Sequence, residues 1–449
     1  MQLTLFNPEV FFEESDTIDI DFSETNVRFS LTMDATAAAL VRNNSMINTL
    51  CFQLNGLDCH CFPNISDISA FAFRVPTSCK VSRYDESQIL FSVKLSVHNR
   101  RNIVSAPVVL VAGQRPANVL TLVLLLTLDD LSRASLLALT LRSISSGSIY
   151  ELVVITPDEQ SQIIHLAFAS LLQEAMPVRV IPESKLFMNP AAFLDTKAHS
   201  YAIQMALKLL VSRALKTAFY ITLDADVLLL KPARIQEAVR ISSREVQGFD
   251  ESSMLYFNTT AGIYEDEPRG VHAEWWTGAA RFLDLPADEN VLNSEAGAGF
   301  SVTPAVLSTL GSRLVLQEIV EAQWRCHGDP LDQGRAELSW IESLGTPSPQ
   351  CTGTTAQLQP NAIVIWSEYT LYRLALDNLK IFPYLHVPQL TLSLHCHDVW
   401  YAESLPWDAA AALRDSCLFS VVQSSTGISP SKVLAQLRQH ALISDMDSI

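Results

Sequence analysis

Charge is scarce in this chain of 449 residues: 18% of positions are charged and 48% are apolar. Such a balance excludes a disordered chain and fits a globular one with a sizeable core. Positive charge is scarcer still, since 31 Lys and Arg against 48 Asp and Glu leave a formal net charge of −17. A general nucleic-acid binder, which needs a basic face, is therefore not expected. An anionic substrate held locally by a metal ion and a few basic side chains stays open. No C-x2-C pair occurs, so no zinc ribbon is expected. No G-x-x-x-x-G-K-[ST] is present, and no G-x-G-x-x-G follows the first α/β strand; "EAGAGF" (295–300) comes far too late. G-x-S-x-G is missing as well. P-loop, dinucleotide-oxidoreductase and nucleophile-elbow readings drop out.

Long apolar runs are also missing. The longest, "NVLTLVLLLTL" (118–128), has about half the residues a bilayer span needs, and Asp129 and Asp130 follow it. It reads as a buried strand, so membrane association is not visible in the chain. "MQLTLFNPEVFFEESD" has neither the basic start nor the apolar core of a signal peptide. Eight cysteines are present, and Cys51, Cys59, Cys61 and Cys79 crowd together in a way that suits two disulfides with three possible pairings. With sequons at Asn43, Asn64 and Asn258, they lead to an expectation of the Golgi or ER lumen, with the cytoplasm as the alternative.

What is there falls into two parts. Residues 1–105 hold short alternating runs, "TIDIDF", "NVRFSLTM", "AFAFRV" and "ILFSVKLSV", without a long helical pattern. They predict a small β-rich module, a sandwich, joined by the linker "HNRRN" (98–102). From 106 to 449 the rhythm is strand, helix, strand, helix. Strands are expected at "VLTLVLLLTL", "YELVVIT", "VRVIP" and "AFYITL", and helices at "LSRASLLALTLRSI", "DEQSQIIHLAFASLLQEA" and "AHSYAIQMALKLLVSRALK". Strands apolar on both faces that alternate with helices imply an α/β domain, a mostly parallel sheet with helices on both faces. Ligands of such sheets bind at the carboxyl ends of the strands. Farther on, "TPAVLSTLGSRLVLQEIVEAQWR" (303–325) reads as helix, 343–360 as a flexible loop, and "SPSKVLAQLRQHAL" as a helix capped by Ser429.

The segment "YITLDADVLLLKP" (220–232) sets two aspartates at such a strand end. Unpaired buried carboxylates are costly, so a positive partner is expected there. On extended backbone Asp224 and Asp226 point to one face and can converge on a single cation. A hard divalent ion, Mn2+ or Mg2+, takes oxygen ligands and leaves positions for phosphate oxygens. Tyr201, Gln204 and Lys208 share one face of the preceding helix, either a stripe bordering the crevice or a solvated one. Glu368 lies among the aromatics of "WSEYTLY" (366–372), where a raised pKa would suit a general base. The other reading makes Ser367 a helix cap and the aromatics core. Trp366 and Tyr369, or Trp275 and Trp276, are candidates to meet a sugar ring or simply to pack.

"FYITLDADVLLLKP" resembles the D-x-D segment of metal-dependent glycosyltransferases with the GT-A fold, and "YAIQMALKLL", "TPAVLS", "WSEYTLYRLAL" and "FSVVQSSTGI" look like an uncharacterised branch of them. The resemblance covers roughly 107–430. It implies a GT-A-like fold, a nucleotide-sugar donor, Mn2+ or Mg2+, and transfer to a hydroxyl of a glycan or glycoprotein acceptor. In similar enzymes the loop after the first strand contacts the nucleoside, which points to Asp130, alongside its reading as a helix cap. The resemblance further suggests Lys208 near donor phosphate or sugar, and a metal-binding histidine near the C-terminal end. His386 is favoured over His395 and His397. The H-x-x-G-x-x-K-P-W stretch of one related group is absent. Alternatives are a nucleotidyltransferase or hydrolase acting on nucleotide sugars, or a glycan-binding protein without turnover.

Overall fold

The computed structural model describes the N-terminal 110 residues through their strands alone. It describes most of 120–144, 148–172, 176–187, 201–240, 261–283, 299–322, 366–389 and 393–440 with side chains. The linker 98–102 and the loop 343–360 lie outside the described residues. Two compact units result, one made of 1–114, 242–260 and 377–384, the other of 115–241, 261–376 and 385–449.

In the first unit the short alternating runs form antiparallel sheets, as the period of two predicts. One sheet runs in the order Gln2–Thr4, Thr17–Ser23, Asn26–Thr32, Ala70–Arg74. The other runs Leu57–Pro63, Ile47–Leu54, Ile89–Val97, Ile103–Val104, and Val108–Leu110 also pairs with Ile89–Val97. Cys51 and Cys61 are register partners in the second sheet.

The second unit is the expected α/β layer structure. Strands β1 (Leu120–Leu125), β2 (Leu152–Thr156), β3 (Val178–Pro182) and β4 (Phe219–Leu223) are parallel and lie in the order β3-β2-β1-β4. Helices α1 (Leu131–Leu141), α2 (Ser161–Leu172) and α3 (Ser200–Leu210) occupy the crossovers. Leu120, Leu122 and Leu124 of β1 and Phe219, Ile221 and Leu223 of β4 share one core with Ala134, Leu137 and Leu141 of α1 and Ile164, Phe168 and Leu172 of α2. Alternate residues point the other way. There the Tyr220 hydroxyl donates to the Lys208 carbonyl of α3 at 2.8 Å and lies 2.7 Å from Ser312 Oγ. Helices therefore cover both faces.

The segment expected as one helix over 303–325 divides instead. Ala305–Ser308 is β7, antiparallel to β4, and only from Thr309 does the chain become helix α5 (Thr309–His327). Of the three strands between them, Val227–Leu229 is β5, Met254–Tyr264 is β6, and Val239–Gln247 pairs with β6. Buried backbone groups must be paired, and the open edge of β4 gives Ala305–Ser308 partners that outweigh helix propensity. Ser308 then caps α5, accepting from Gly311 N at 3.1 Å.

Beyond lie α4 (Ala273–Phe282), α6 (Glu368–Asn378), β8 (His386–Pro388), β9 (Ser393–His395), α7 (Ala409–Arg414), β10 (Cys417–Val421) and α8 (Pro430–Gln439). Strand β10 pairs antiparallel with β5 and parallel with β9, and a Cys396–Cys417 disulfide ties the end of β9 to β10. Ser429 caps α8 as expected, and Pro430 stands at its first position. Among the described residues no helix is long and apolar enough to cross a membrane.

Gly311 gives a test of this packing. A Cβ there would fall 2.5 Å from Tyr372 Oη and 3.1 Å from Leu376 and Leu385 side-chain carbons. Gly to Ala in a helix ordinarily gains up to about 1 kcal/mol. Here the Tyr372 hydroxyl is fixed by Ser308 N at 2.9 Å, so the sign should reverse. Gly311→Ala is expected to lose ~1–3 kcal/mol in urea unfolding; an unchanged or raised midpoint would show the contact to be wrong.

Candidate functional site

Strand β4 is fully buried through Leu223, and the chain then turns. Val227 N donates to Asp224 O at 3.2 Å, so the aspartates sit on a tight turn and not on the extended backbone expected from the sequence. The reason is β5, which leaves at once to pair with β10. Asp226 is held into that pairing: Val422 N donates to its carbonyl at 3.0 Å and Ser424 N to its Oδ2 at 3.2 Å. Both side chains remain at the carboxyl end of a parallel sheet.

The positive partner demanded by two carboxylates is Lys208. It is 7% exposed, and its Nζ lies 3.0 Å from Asp224 Oδ1, 2.9 Å from Glu368 Oε1 and 3.1 Å from Thr303 Oγ1. Those contacts take up the three N–H bonds of an ammonium. Burial alone would lower the Lys208 pKa, but Asp224 and Glu368 outweigh it and hold the pKa well above its ordinary value. Tyr369 completes the node, its hydroxyl 2.9 Å from Thr222 Oγ1 and in contact with Thr303 Oγ1, and burial pushes its phenol far up. The reading of Lys208 as part of a solvated stripe fails because its tip is inside. A direct approach to donor phosphate would require it to release a partner.

Glu368 was expected to face an acceptor as a base. Instead it is 3% exposed, in the first turn of α6, with its carboxylate on Lys208. Ser367 and Thr370 cap that helix reciprocally: Ser367 Oγ accepts from Tyr369 N, and Thr370 Oγ1 from Ser367 N, each at 3.1 Å. Trp366 and Tyr369 are buried in the core, which takes them away from any sugar ring.

His386 is not brought to the aspartates. It lies 6.4 Å, edge-on, from Phe219 at the start of β4, and Tyr372 Oη is 2.8 Å from its Nε2. Five residues of strand, roughly 16 Å, separate that end from Asp224. His395 contacts Asp398, and the half-exposed His397 contacts Asp415. Asp130 accepts from Thr127 Oγ1 at 2.9 Å and makes no side-chain cap to α1, so the capping reading does not hold. Tyr201 is 48% exposed and Gln204 is exposed on the turns of α3 before Lys208. Burial and the charge of Glu368 raise the Tyr201 phenol, which places it at the rim of the same node.

Three groups escaped sequence reasoning. Thr303 and Ser424 are polar residues in loops, with no periodicity to mark them. Glu183 follows β3, where burial and the nearby Asp158 and Glu159 push its carboxyl up to about 7. Its position directly after an apolar strand was the available signal.

The residues fit a hard divalent ion. Asp226 is pushed up to about 6, first by burial and then by Asp224, against smaller opposing contributions from the Ser424 N–H and Arg133. Lys208 is already shared with Glu368, and Arg133, bonded to the carbonyls of Val422 and Ile428, contributes least to offsetting the Asp226 charge. Carboxylate oxygens suit Mg2+ or Mn2+. Cys396, His397 and Asp415 also cluster, but the Cys396 sulfur is spent in its disulfide and offers no thiolate.

Residues 117–445 match the sequence model of a family of unknown function (DUF6492), and the chain belongs to that family. No curated protein matches it. Among solved structures it is similar to mouse xyloside xylosyltransferase 1 in its apo form, at 12% identity over 70% of this chain and 99% of that one, with a TM-score of 0.34. The apo bifunctional glycosyltransferase WbbM gives 10% identity over 74% and 50%, with a TM-score of 0.35. An active-site mutant of LgtC gives 9% over 73% and 98%, with a TM-score of 0.36. Likenesses this slight carry no chemistry across, and the site stands on its own geometry.

Two measurements probe that geometry. Lys208→Met should cost ~3–5 kcal/mol, because it leaves Glu368 buried without a partner. Adding Glu368→Gln should recover a good part of the loss in urea unfolding; equal instability of single and double variants would refute the pairing. For Asp226 the folded pKa lies above the unfolded one, so its stabilising contribution is complete below about pH 4 and is lost as pH rises through about 6. Without divalent ions, the wild type should lose on the order of 2–3 kcal/mol relative to Asp226→Asn across that window. Parallel stability curves would contradict the crowding of charge.

Proposed function

We propose that this chain is a metal-dependent glycosyltransferase that moves a sugar from a nucleotide-diphosphate donor to an acceptor hydroxyl. The observation that carries the reading is the pair Asp224 and Asp226 on a turn at the carboxyl end of a parallel α/β sheet, where these two carboxylates and Glu368 stand against the ammonium of Lys208. Such strand ends are where α/β sheets hold ligands. A site with surplus carboxylate binds a diphosphate only through a cation.

Asp224 and Asp226 would hold Mn2+ or Mg2+, which when bound neutralises diphosphate charge and stabilises the nucleotide as a leaving group. Lys208 pairs with Asp224 and holds it on the turn, and Glu368 helps keep Lys208 charged inside the protein. Tyr201 and Gln204, exposed on the turns of α3 before Lys208, would hydrogen-bond the donor, and Asp130 would contact its nucleoside. A luminal setting is part of the proposal, supported by the Cys396–Cys417 disulfide and the three sequons.

Thermal melting with nucleoside diphosphates and nucleotide sugars, with Mn2+ or Mg2+ and then with EDTA, tests the reading. One nucleotide should raise the melting temperature in a metal-dependent way; at about 100 times the dissociation constant the gain is roughly 2.7 kcal/mol. Asp226→Ala should abolish the shift. A shift that survives EDTA or Asp226→Ala would remove the metal role. Donor cleavage that never yields a glycosylated acceptor would favour a hydrolase.

A further inference from the structure

A second group of side chains, which donor binding does not use, is linked to the aspartate turn by chains of contacts. Glu265 and Glu267 follow β6, His272 and Trp275 stand at the start of α4, and His395 and Asp398 bracket the end of β9. His395 Nδ1 contacts the Asp398 carboxylate, and its Nε2 lies 3.6 Å from Glu265 Oε2. His272 Nε2 is 4.0 Å from Glu267 Oε2. The His272 ring stacks on the Trp275 indole, with centroids 3.8 Å apart and planes at 12°. Burial raises the Glu267 carboxyl, while His272 and His395 pull it down. The Glu265, Glu267 and His272 side chains are a quarter to a third exposed (25%, 29% and 29%), so the group is open to a ligand.

Contacts tie this group to the aspartate turn from two sides. Through β10, Asp398 Oδ1 accepts from Val421 N at 2.7 Å, and the next residue, Val422, donates its N–H to the Asp226 carbonyl. Through α6, Thr370 Oγ1 lies 3.4 Å from the Trp275 carbonyl and accepts from Ser367 N. Glu368 follows Ser367 and holds Lys208, which holds Asp224. The contacts run in a ring, with the two aspartates on one arc and the imidazoles, indole and glutamates on the other.

Aromatic faces beside carboxylates and imidazoles have the chemistry that receives a sugar ring. The C–H face lies on the rings, and the hydroxyls donate to carboxylate oxygens. Three carboxylates outnumber the two imidazoles, a balance that disfavours an anionic guest. We propose that Glu265, Glu267, His272, Trp275, His395 and Asp398 form the acceptor subsite, and that it takes a neutral or amine-bearing carbohydrate. The word acceptor rests on the glycosyltransferase reading; sugar binding does not.

Saturation-transfer NMR on the full chain tests it, with methyl glucoside, galactoside, mannoside, glucosaminide and glucuronide as probes. At least one neutral or amine-bearing glycoside should bind, and Trp275→Ala should weaken it roughly tenfold or more. Glu267→Gln should weaken it too, and covers the case in which the tryptophan variant does not fold. The metal-dependent nucleotide shift should survive in both folded variants. Failure of every neutral and amine-bearing probe, equal binding by the folded variants, or preference for the glucuronide overturns the proposal. Glycoside binding that depends on Trp275 and Glu267, in a chain that gives no nucleotide shift, supports the sugar site and overturns the donor reading.

Discussion

The cost of holding charge at the end of a buried strand governs this unit. Asp224 follows five fully buried residues of β4, and the chain meets its charge with Lys208, itself 7% exposed. One ammonium inside a protein creates a further demand, met by Glu368, Thr303 and Tyr369. The result is a satisfied node under a turn whose outer carboxylate, Asp226, is not fully compensated. The inner pair fixes the turn, and the outer charge is the part to which the proposed function assigns a cation.

The same node joins elements distant in sequence. Helix α3 brings Lys208, the turn after β4 brings Asp224, the segment before β7 brings Thr303 and the first turn of α6 brings Glu368. Phe300 extends the assembly by packing against Tyr264, Tyr369 and Tyr372. Gly299 lets the chain pass there: a Cβ would sit 1.9 Å from the Glu267 carbonyl, so only glycine permits the approach. That close passage fixes the segment carrying Glu265 and Glu267. The packing that anchors the buried lysine thereby also sets the carboxylates of the neighbouring group.

Much of this architecture was legible in the sequence. The apolar strands and amphipathic helices from 120 to 223 appear where their periodicity places them, and D-A-D stands at a strand end as read. Ala305–Ser308 was misjudged because a short apolar run is compatible with helix or strand until a sheet edge claims it. His386 was a poor candidate for a related reason. Its rank among the late histidines said nothing about which end of β4 it would reach, and Phe219 and Tyr372 took it to the wrong one.

The sequence by itself determined the local repertoire: which stretches alternate, which helices are capped, and that two carboxylates leave a buried strand together. Those features depend on neighbours a few residues away, so hydrophobic period and capping chemistry reveal them. Only the tertiary structure decided who compensates whom. It gave Lys208 to Asp224 and Glu368, turned Glu368 from a general base into the partner of a buried lysine, and gathered Glu267, His272 and His395 into one group. Such pairings are set by the cost of unpaired buried charge across long stretches of chain, a cost that no local pattern records.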